Sequence, residues 1–411
     1  MTTMAIDNKD KKVLNVPHLR FPEFSGEWDS ERLENLTVSI GDGLHSTPVY
    51  CEQGDYCFIN GNNIIDGKVS INEKTLRVTK EEAYKYNAAL LKVDTILMSI
   101  NGTIGNVALY NGENIMLGKS ACYINPSSRI VREYLFHILS SPRIQAYFQG
   151  EVTGTTIKNL SLRTIRGSKI LLPSNEEQKK IARLFSLVDE RIATQNKIIE
   201  KYESLIKGLN DSLYAQYGND VLTSFSSLGF SYSGLSGKSA QDFGSGKPFI
   251  TYLNVYSNNI INEKDFQYVA IKDDEKQNVV EYGDVLFTLS SETPEEVGIG
   301  SVYLGNENVY LNSFCFGIHI RNTKIAFPPY LSYYVSLTPF RKFIYPYAQG
   351  STRFNLCKAD FEKANIKLPS LENQKRIYSI LSHIESKTET EKSLLDLYNS
   401  QKQHLLRQMF I

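Results

Sequence analysis

The sequence lacks the signatures of several protein classes. It has no apolar run approaching the ~18 residues that a membrane span needs, and its first residues (MTTMAIDNKDKK) are polar, so we expect neither a membrane span nor a signal peptide. Its five cysteines form no CxxC pair, which argues against a zinc site and favours reduced thiols in the cytoplasm. Lysine plus arginine (45) balance aspartate plus glutamate (45), which excludes a uniformly basic DNA-coating protein.

Catalytic and cofactor motifs are also missing. GLSGKS at 234–239 resembles the end of a phosphate-binding loop, but the first glycine of that loop is replaced by Tyr232. FPPY at 327–330 resembles the NPPY of amino-methyltransferases, but Phe327 cannot hold an exocyclic amine. The histidines have no metal-ligand spacing, and neither HExxH nor GxSxG occurs. The sequence therefore predicts a recognition protein, with no catalytic, cofactor-binding or metal residues.

What the chain does contain is an internal repeat. Residues 154–181 align with residues 350–377 at a constant offset of 196, so that Gln178 matches Gln374 and a Leu-Pro dipeptide recurs. Upstream the offset drifts, and Asp94 before ILMSI matches Asp284 before VLFTL. A period this long excludes a solenoid and indicates a duplicated domain. Two related but divergent halves suit a ligand that has two related but different parts.

A long helical pattern follows the Leu-Pro dipeptide in each repeat. Apolar residues recur at steps of three and four through 175–217 and 371–411, the spacing of a coiled-coil seam. Ser174 or Asn175, and Ser370, are placed to cap these helices. We expect two helices of roughly 60 Å each, packed antiparallel as a spacer. The predicted seam residues are Ile181, Leu184, Val188, Ile192, Ile199, Tyr202, Leu209, Ile377, Ile380, Ile384, Leu395, Tyr398 and Leu405.

The two regions outside these helices, the heads, have short strand-like runs such as DTILMSI and FCFGIHI, separated by Gly, Asn and Asp turn signals. Helical patterns in the heads are few, and 131–148 and 329–345 are the clearest. Each head is therefore predicted to be a mixed α/β domain with a largely antiparallel sheet, and the fold class is α+β. The predicted segments are an N-terminal arm (1–24), head 1 (25–174), a central helix (175–217), head 2 (218–370) and a C-terminal helix (371–411).

Several motifs resemble a known family. VPHLRFPEFSGEW at 16–28, followed by DGLHSTP at 42–48, resembles the start of a specificity (S) subunit of a Type I restriction–modification enzyme. YSGLSGKSAQDFGSGKPFITYLNVY at 232–256 resembles the start of the second target-recognition domain of that subunit. The entries to the two long helices resemble its central and C-terminal conserved regions. The resemblance covers nearly the whole chain in order.

The resemblance implies a subunit that recognises double-stranded DNA and is not itself an enzyme. Each head would be a target-recognition domain that contacts one half of a bipartite, gapped site, and the helix pair would set the separation of the domains. Two modification subunits would methylate adenine with S-adenosylmethionine, and two restriction subunits would add translocation and cleavage that require ATP and Mg. No cofactor is expected on this chain. Its neutral net charge predicts weak DNA binding without partners.

Residues that could contact DNA occur at equivalent places in the repeats. Residues 143–169 hold five basic residues and one acidic residue, and residues 321–367 hold eight and two, although such runs are also typical of solvated faces. The phosphate candidates are Lys158, Arg163, Arg166, Lys169, Arg341, Lys342, Arg353 and Lys358. The polar candidates, which can equally close turns through side-chain bonds to the backbone, are His45, Ser46, Thr47, Asn101, Thr155, Thr156, Asn159, Ser351, Thr352 and Asn355.

Three other interpretations stay open at this point. The chain could be a duplicated-domain scaffold on a coiled coil, an enzyme with an unrecognised site, or the recognition subunit of a fused nuclease–methylase system. Salt-dependent binding to a defined bipartite DNA sequence would distinguish a DNA-recognition subunit from the scaffold. Loss of a DNA-independent activity on mutation of head residues would support the enzyme. Copurifying subunits would decide the third interpretation.

Overall fold

A computed structural model describes residues 15–154 and 158–410, which form two compact units. Unit 1 contains the residues up to 196 together with those from 393 onward, and unit 2 contains residues 197–392. Each unit therefore holds one head and one part of each of the two long helices.

Unit 1 has the following elements, numbered along the chain. Its strands are β1 (Asp29–Arg32), β2 (Thr37–Asp42), β3 (Tyr56–Ile59), β4 (Ile64–Ile65), β5 (Lys68–Val69), β6 (Arg77–Val78), β7 (Ile96–Ser99), β8 (Val107–Leu109), β9 (Ile115–Leu117), β10 (Ala121–Pro126) and β11 (Lys169–Leu172). Its helices are α1 (Lys80–Tyr86), α2 (Arg132–Leu139), α3 (Pro142–Gly150), α4 (Leu162–Gly167) and the first part of α5 (Asn175–Tyr217). Short 3₁₀ helices lie at Leu33–Leu36, Gly61–Asn63 and Ala88–Leu90.

The centre of head 1 is an antiparallel sheet in the order β2-β10-β7-β8. Strand β10 is buried along its whole length because alternate residues face two separate apolar clusters. Cys122 and Ile124 face the cluster that also contains helix α2, whereas Ala121 and Tyr123 face the cluster under the smaller β6-β3-β9 sheet. A strand covered on both faces explains an apolar run without the usual alternation.

Unit 2 repeats this plan. Its strands are β12 (Val221–Thr223), β13 (Gly229–Ser233), β14 (Phe243–Ile250), β15 (Gln267–Val269), β16 (Val285–Thr288), β17 (Ser290–Ser291), β18 (Gly300–Val302), β19 (Tyr310–Leu311), β20 (Cys315–Ile320), β21 (Ala348–Gln349), β22 (Phe354–Leu356) and β23 (Ile366–Leu368). Its helices are the end of α5, then α6 (Phe225–Leu228), α7 (Tyr252–Ser257), α8 (Pro328–Tyr334), α9 (Thr338–Ile344), α10 (Lys358–Lys363) and most of α11 (Leu371–Met409). Short 3₁₀ helices lie at Ala240–Asp242, Glu263–Asp265, Pro294–Glu296 and Tyr345–Tyr347.

The central sheet of head 2 has the order β13-β20-β16-β18, which matches that of head 1 strand for strand. The prediction of a duplicated α+β fold is therefore confirmed. The regions predicted as single helical patches, 131–148 and 329–345, are each two helices, because Pro142 and Pro339 lie in the first turns of α3 and α9. Proline fits a first helical turn, where its missing N–H has no intrahelical partner to lose.

The two long helices pack antiparallel within unit 1. Arg191 donates to the hydroxyl of Tyr398 at 2.9 Å, and Lys402 pairs with Asp189 at 2.6 Å. The lower-numbered residue on α5 pairs with the higher-numbered residue on α11, so the two helices run in opposite directions. In unit 2, the α11 residue Lys392 pairs with the α5 residue Glu203 at 3.1 Å.

Burial along these helices follows most of the predicted stripe. Ile181, Ile199 and Ile377 are buried. Ile380, in contrast, is 38% exposed, and the fully buried residue is Leu381. The step after Ile377 is therefore four residues and not the predicted three, as it also is from Ile181 to the buried Phe185. The remaining predicted seam residues are half-buried: Leu184, Val188, Ile192, Tyr202, Leu209, Ile384, Leu395, Tyr398 and Leu405.

The repeated glutamine ties each long helix to its head. The buried Gln178 accepts a hydrogen bond from the Val131 N–H at 2.9 Å and donates to the Pro173 carbonyl at 3.0 Å. Gln374 accepts from the Phe327 N–H at 2.8 Å and donates to two carbonyls, those of Ile325 and Pro369. The repeat thus preserves a side chain that satisfies buried backbone groups.

The helix starts are also held by local contacts. Ser174 and Ser370 accept from the backbone N–H groups of Glu177 and Asn373, which confirms both predicted caps. Glu177 receives a two-pronged ion pair from Arg20, with both contacts at 2.8 Å. The arginine of the VPHLRFPEFSGEW motif therefore supports the start of α5. In the described ranges, no helix combines the length and apolarity needed to cross a membrane.

Candidate nucleic-acid interface

One end of the central sheet of head 1 gathers several predicted DNA-contact residues. Strands β2 and β7 end there, and β10 begins there, because β10 is antiparallel to both. We call this region loop end 1 and define it by residues 42–47, 59–61, 100–102, 117–121 and 158–160. It brings together segments that are far apart in the sequence, with His45, Asn101, Lys158 and Asn159 among them.

Six backbone hydrogen bonds build loop end 1. They are Gly43 N to Ala121 O (3.0 Å), Leu44 N to Leu117 O (2.8 Å), Ile100 N to Ser120 O (2.9 Å), Gly118 N to Ile59 O (2.8 Å), Ala121 N to Gly118 O (3.0 Å) and Leu160 N to Ile100 O (2.8 Å). Because backbone groups make these bonds, the side chains around them can vary without loss of the scaffold.

Head 2 makes the same six bonds in a region we call loop end 2, defined by residues 233–238, 250–252, 289–292, 311–315 and 353–356. They are Gly234 N to Cys315 O (3.2 Å), Leu235 N to Leu311 O (2.8 Å), Leu289 N to Phe314 O (2.9 Å), Asn312 N to Ile250 O (2.9 Å), Cys315 N to Asn312 O (3.0 Å) and Leu356 N to Leu289 O (2.8 Å). The match makes Ser290 equivalent to Asn101, and Phe314 equivalent to Ser120.

A glycine in each loop end permits close backbone approach. A Cβ atom on Gly43 would lie 2.3 Å from the Gly118 carbonyl oxygen, and one on Gly234 would lie 2.0 Å from that of Asn312. Only glycine fits such contacts. The GLSGKS segment, which resembles part of a phosphate loop, is therefore the head 2 counterpart of the GLHSTP segment.

The asparagines that end the repeated Gly-Thr/Ser-Thr-x-x-Asn sequences lie at these loop ends. Asn159 forms a backbone bridge with Asn101, and Asn355 pairs with Ser290 in the β17-β22 ladder. Lys158, Asn159 and Asn355 are exposed, as are Ser351 and Thr352. Thr155 and Thr156 lie outside the described residues.

The loop after β2 exposes three further candidates, His45, Ser46 and Thr47. His45 Nε2 lies 2.7 Å from a carboxylate oxygen of Asp42, the last residue of the strand. The side-chain amide of Asn101 donates to the Lys119 carbonyl at 2.9 Å. Asn101 therefore uses one amide N–H for this bond and leaves its second N–H and its side-chain carbonyl oxygen available to a ligand.

The remaining basic candidates of head 1 lie away from the loop end. Arg163 is exposed on α4, and Lys169 is exposed on β11 opposite Arg32. Arg166 donates to the Ile40 carbonyl at 2.6 Å, beside the edge strand β2. Of the four basic candidates in head 1, Lys158 is thus the one that the structure places at loop end 1.

The basic candidates of head 2 differ in whether their donors are used inside the protein. The Arg341 guanidinium donates to the carbonyls of Glu295, Val297 and Gly298, and burial lowers its pKa. Its donors are therefore used inside the protein, and we leave Arg341 out of the candidate interface. Lys358 lies over the Phe316 ring at 5.1 Å, and Lys342 is exposed on α9.

Of the predicted basic candidates in head 2, Arg353 lies at loop end 2. It donates to the Ser290 hydroxyl at 3.3 Å. Lys238 is also at this end but is committed to the Ala270 carbonyl at 2.6 Å and to the Glu275 carboxylate. The hydrogen bond from Lys238 is the largest influence that lowers the pKa of Glu275 to about 2.

Sequence reasoning missed two exposed residues of the shared turn, Lys119 in head 1 and Phe314 in head 2. Phe314 lies directly before β20, and Lys119 lies two residues before β10; both strands are buried along their whole length. A search of each repeat for the turn that precedes its long apolar strand would have identified both residues. Ser120, on the same turn, donates its hydroxyl to Asn60 at 2.8 Å and is turned inward.

A buried polar group distinguishes head 2 from head 1. Asp284 accepts from the Tyr232 hydroxyl at 2.7 Å, and its second oxygen lies 2.9 Å from His319 Nδ1. Burial raises the pKa of Asp284. At the equivalent place in head 1, Thr95 donates to Asn125 at 2.5 Å. The strand registers thus make Thr95 the counterpart of Asp284, and not Asp94 as the sequence pattern suggests.

This Tyr-Asp-His group is too enclosed to serve as an open catalytic site, since His319 is 7% exposed and Asp284 is 2% exposed. Across residues 15–154 and 158–410, no cluster of three or more His, Cys, Asp or Glu side chains is arranged to hold a metal ion. The geometry therefore points to the two loop ends as the surfaces where a ligand would be recognised.

Comparison with known proteins agrees with this duplicated plan. The model of the Type I restriction modification DNA specificity domain matches the chain twice, over residues 26–204 and 236–397. The chain is 25% identical over 180 residues to the MjaIX Type I restriction enzyme specificity subunit of Methanocaldococcus jannaschii, a match that covers 43% of this chain and 41% of that protein. It is 27% identical over 153 residues to the EcoBI specificity subunit of Escherichia coli, covering 36% and 32%. The chain thus spans less than half the length of these curated relatives.

Solved structures share the fold. An S subunit of a Type I restriction–modification system from M. genitalium aligns with a TM-score of 0.53 and 18% identity, over 96% of this chain and 99% of that one. A chain from a structural study of assembly and conformational transition in the type I R-M system aligns with a TM-score of 0.56 and 17% identity, over 92% and 96%. Because the family model covers most of the sequence in two copies, this chain belongs to the Type I restriction modification DNA specificity domain family.

Proposed function

We propose that this chain is the DNA-recognition subunit of a Type I restriction–modification complex, in which each head reads one half of a bipartite, gapped site. The observation that carries the proposal is the pair of loop ends. They share six backbone hydrogen bonds and differ in the side chains that they expose. A common scaffold with different exposed groups is what two different half-sites require.

The chemistry of the loop ends suits DNA. Lys119 and Lys158 at loop end 1, and Arg353 at loop end 2, would contact phosphates and so position each head on the duplex. The side-chain amides of Asn159 and Asn355, with the hydroxyls of Ser351 and Thr352, would contact base edges. Since the backbone beneath is already hydrogen-bonded, little conformational freedom is lost on binding.

In this proposal, the chain supplies recognition and no catalysis. Two modification subunits would dock on it and methylate adenine at N6 with S-adenosylmethionine. Two restriction subunits, with ATP and Mg, would translocate and cleave DNA. The formal net charge of zero supports a division of labour in which partners contribute much of the attraction to DNA. The family match does not favour a scaffold without DNA specificity.

The test is methylome sequencing in a host without adenine methylation. The host expresses the neighbouring modification gene with this chain or without it. We expect N6-methyladenine at one gapped, asymmetric motif when the chain is present and at no motif when it is absent. Assembly of the complex without any new motif would contradict the proposal.

A further inference from the structure

Loop end 2 exposes an aromatic side chain on a fixed turn. Phe314 is 57% exposed and occupies the third position of the turn that Cys315 N closes onto Asn312 O. Its own N–H is bonded to the Asn312 side chain at 2.9 Å, and its carbonyl accepts from Leu289 N. Both backbone groups of Phe314, its N–H and its C=O, are therefore hydrogen-bonded, and this holds the ring in its exposed position.

In head 1, the side chain at the same position of this turn points inward. Ser120 donates its hydroxyl to Asn60 and accepts from the Gly61 N–H, both at 2.8 Å, so its side chain serves the interior. The turn itself does not require an exposed apolar residue. A single exposed apolar residue is ordinary on a protein surface. Phe314 differs because it lies at the loop end that the proposed function assigns to base recognition.

We propose that Phe314 determines specificity by contacting the 5-methyl group of a thymine in the major groove. This inference rests on the proposed function. A phenyl ring donates no hydrogen bond to a base edge, and thymine is the base that offers a methyl group in the major groove. Ser313, which precedes Phe314 in the turn, is exposed and can hydrogen-bond a base beside the ring, whereas Ser290 on the neighbouring segment is buried and holds Arg353. Arg353, bonded to Ser290, lies close enough to this end to fix the adjacent backbone.

The test uses the complex of this chain with its modification subunit and the motif obtained by methylome sequencing. Each thymine of the motif is replaced in turn by deoxyuridine, which removes only the methyl group, and binding is measured by fluorescence anisotropy. With the unmodified chain, we expect one replacement to weaken binding about fourfold, the size of one buried methyl group. With Phe314→Ala, the same replacement should cause no further loss, while the effects at other thymines stay unchanged.

Two variants control for general damage. Phe230→Ala removes a ring that is 55% exposed at the opposite end of the same sheet, and it should keep the deoxyuridine effect. Phe314→Ser, which places in head 2 the residue type that head 1 has, should behave like Phe314→Ala. Thermal melting of all variants would show that the fold is retained.

Three results would overturn the inference. The first is that no thymine shows a deoxyuridine effect that depends on Phe314. The second is that Phe314→Ala releases the modification subunit, which would make the ring a protein contact. The third is the absence of any methylated motif with the unmodified chain, which would contradict the proposed function as well and is thereby distinguished from the first two.

Discussion

The two heads use one backbone arrangement at their loop ends and fill it with different chemistry. Loop end 1 is polar, with Lys119 and Lys158 exposed and the Ser120 hydroxyl turned inward. Loop end 2 exposes the Phe314 ring beside Arg353. Exposed side chains at the loop ends can therefore differ between the heads, because the scaffold is made of backbone hydrogen bonds that such substitutions leave in place.

The interiors of the heads diverge under a tighter constraint. Head 2 buries the ionisable pair Asp284 and His319, where head 1 buries the non-ionisable pair Thr95 and Asn125. Both partners differ between the heads, and each keeps its hydrogen bond, since a buried polar group without a partner is costly. Exposed loop-end residues vary singly, whereas these buried residues vary as pairs.

The largest expected effect comes from converting one partner of the buried pair. Asp284→Thr alone should lower the free energy of unfolding of unit 2 by about 3 kcal/mol, because it leaves His319 and Tyr232 without their acceptor. The double variant Asp284→Thr, His319→Asn, which has the head 1 pair, should recover the part of that loss that comes from His319, while the Tyr232 hydroxyl stays without its acceptor. Urea denaturation measures both. A double variant as unstable as the single one would show that the two pairs are not interchangeable.

The repeated glutamines should give the next largest effect, and they should give it in both units. Gln178→Ala and Gln374→Ala each leave buried backbone groups unpaired, so each should lower the free energy of unfolding by about 2 kcal/mol. Glu176→Gln and Glu372→Gln, exposed changes in the same helical turns, are the controls and should be nearly neutral. If only one of the two variants lowered the free energy of unfolding, the two glutamines would not be structurally equivalent.

A pH response should distinguish unit 1. Burial, with a smaller contribution from Lys402, lowers the pKa of His137 to about 3. The unfolded chain has an ordinary histidine pKa near 6.5, so between these values the unfolded state binds the extra proton. Stability should therefore fall as the pH drops from 6.5 toward 3, by about 2 kcal/mol at pH 5. His137→Phe should flatten this part of the urea-denaturation profile, and an unchanged slope would assign the acid sensitivity to other groups.

The smallest effect is expected from a single phosphate contact. Lys158→Gln should weaken DNA binding by the complex several-fold for all sequences alike and reduce the salt slope by about 1. Lys80→Gln, an exposed change on α1 of the same unit, serves as the control. An altered motif, in place of uniformly weaker binding, would show that Lys158 reads bases.

Local patterns in the sequence predicted the duplicated fold and the long helices, because residue steps of three and four and a constant offset need no tertiary information. They could not show the loop ends, which join segments separated by up to about a hundred residues in each head. They also misplaced Arg341, since the sequence does not show that its guanidinium meets three carbonyls. The match of Asp94 to Asp284 was wrong by one residue, an error that strand register corrects and spacing alone does not.

A head exchange followed by methylome sequencing shows directly whether each head reads its own half-site. Head 1 is replaced by that of another family member, and the chimera is expressed with the same modification subunit. We expect one half of the methylated motif to change while the other half stays the same. A change in both halves, or in neither, would contradict the claim that each head reads its own half-site.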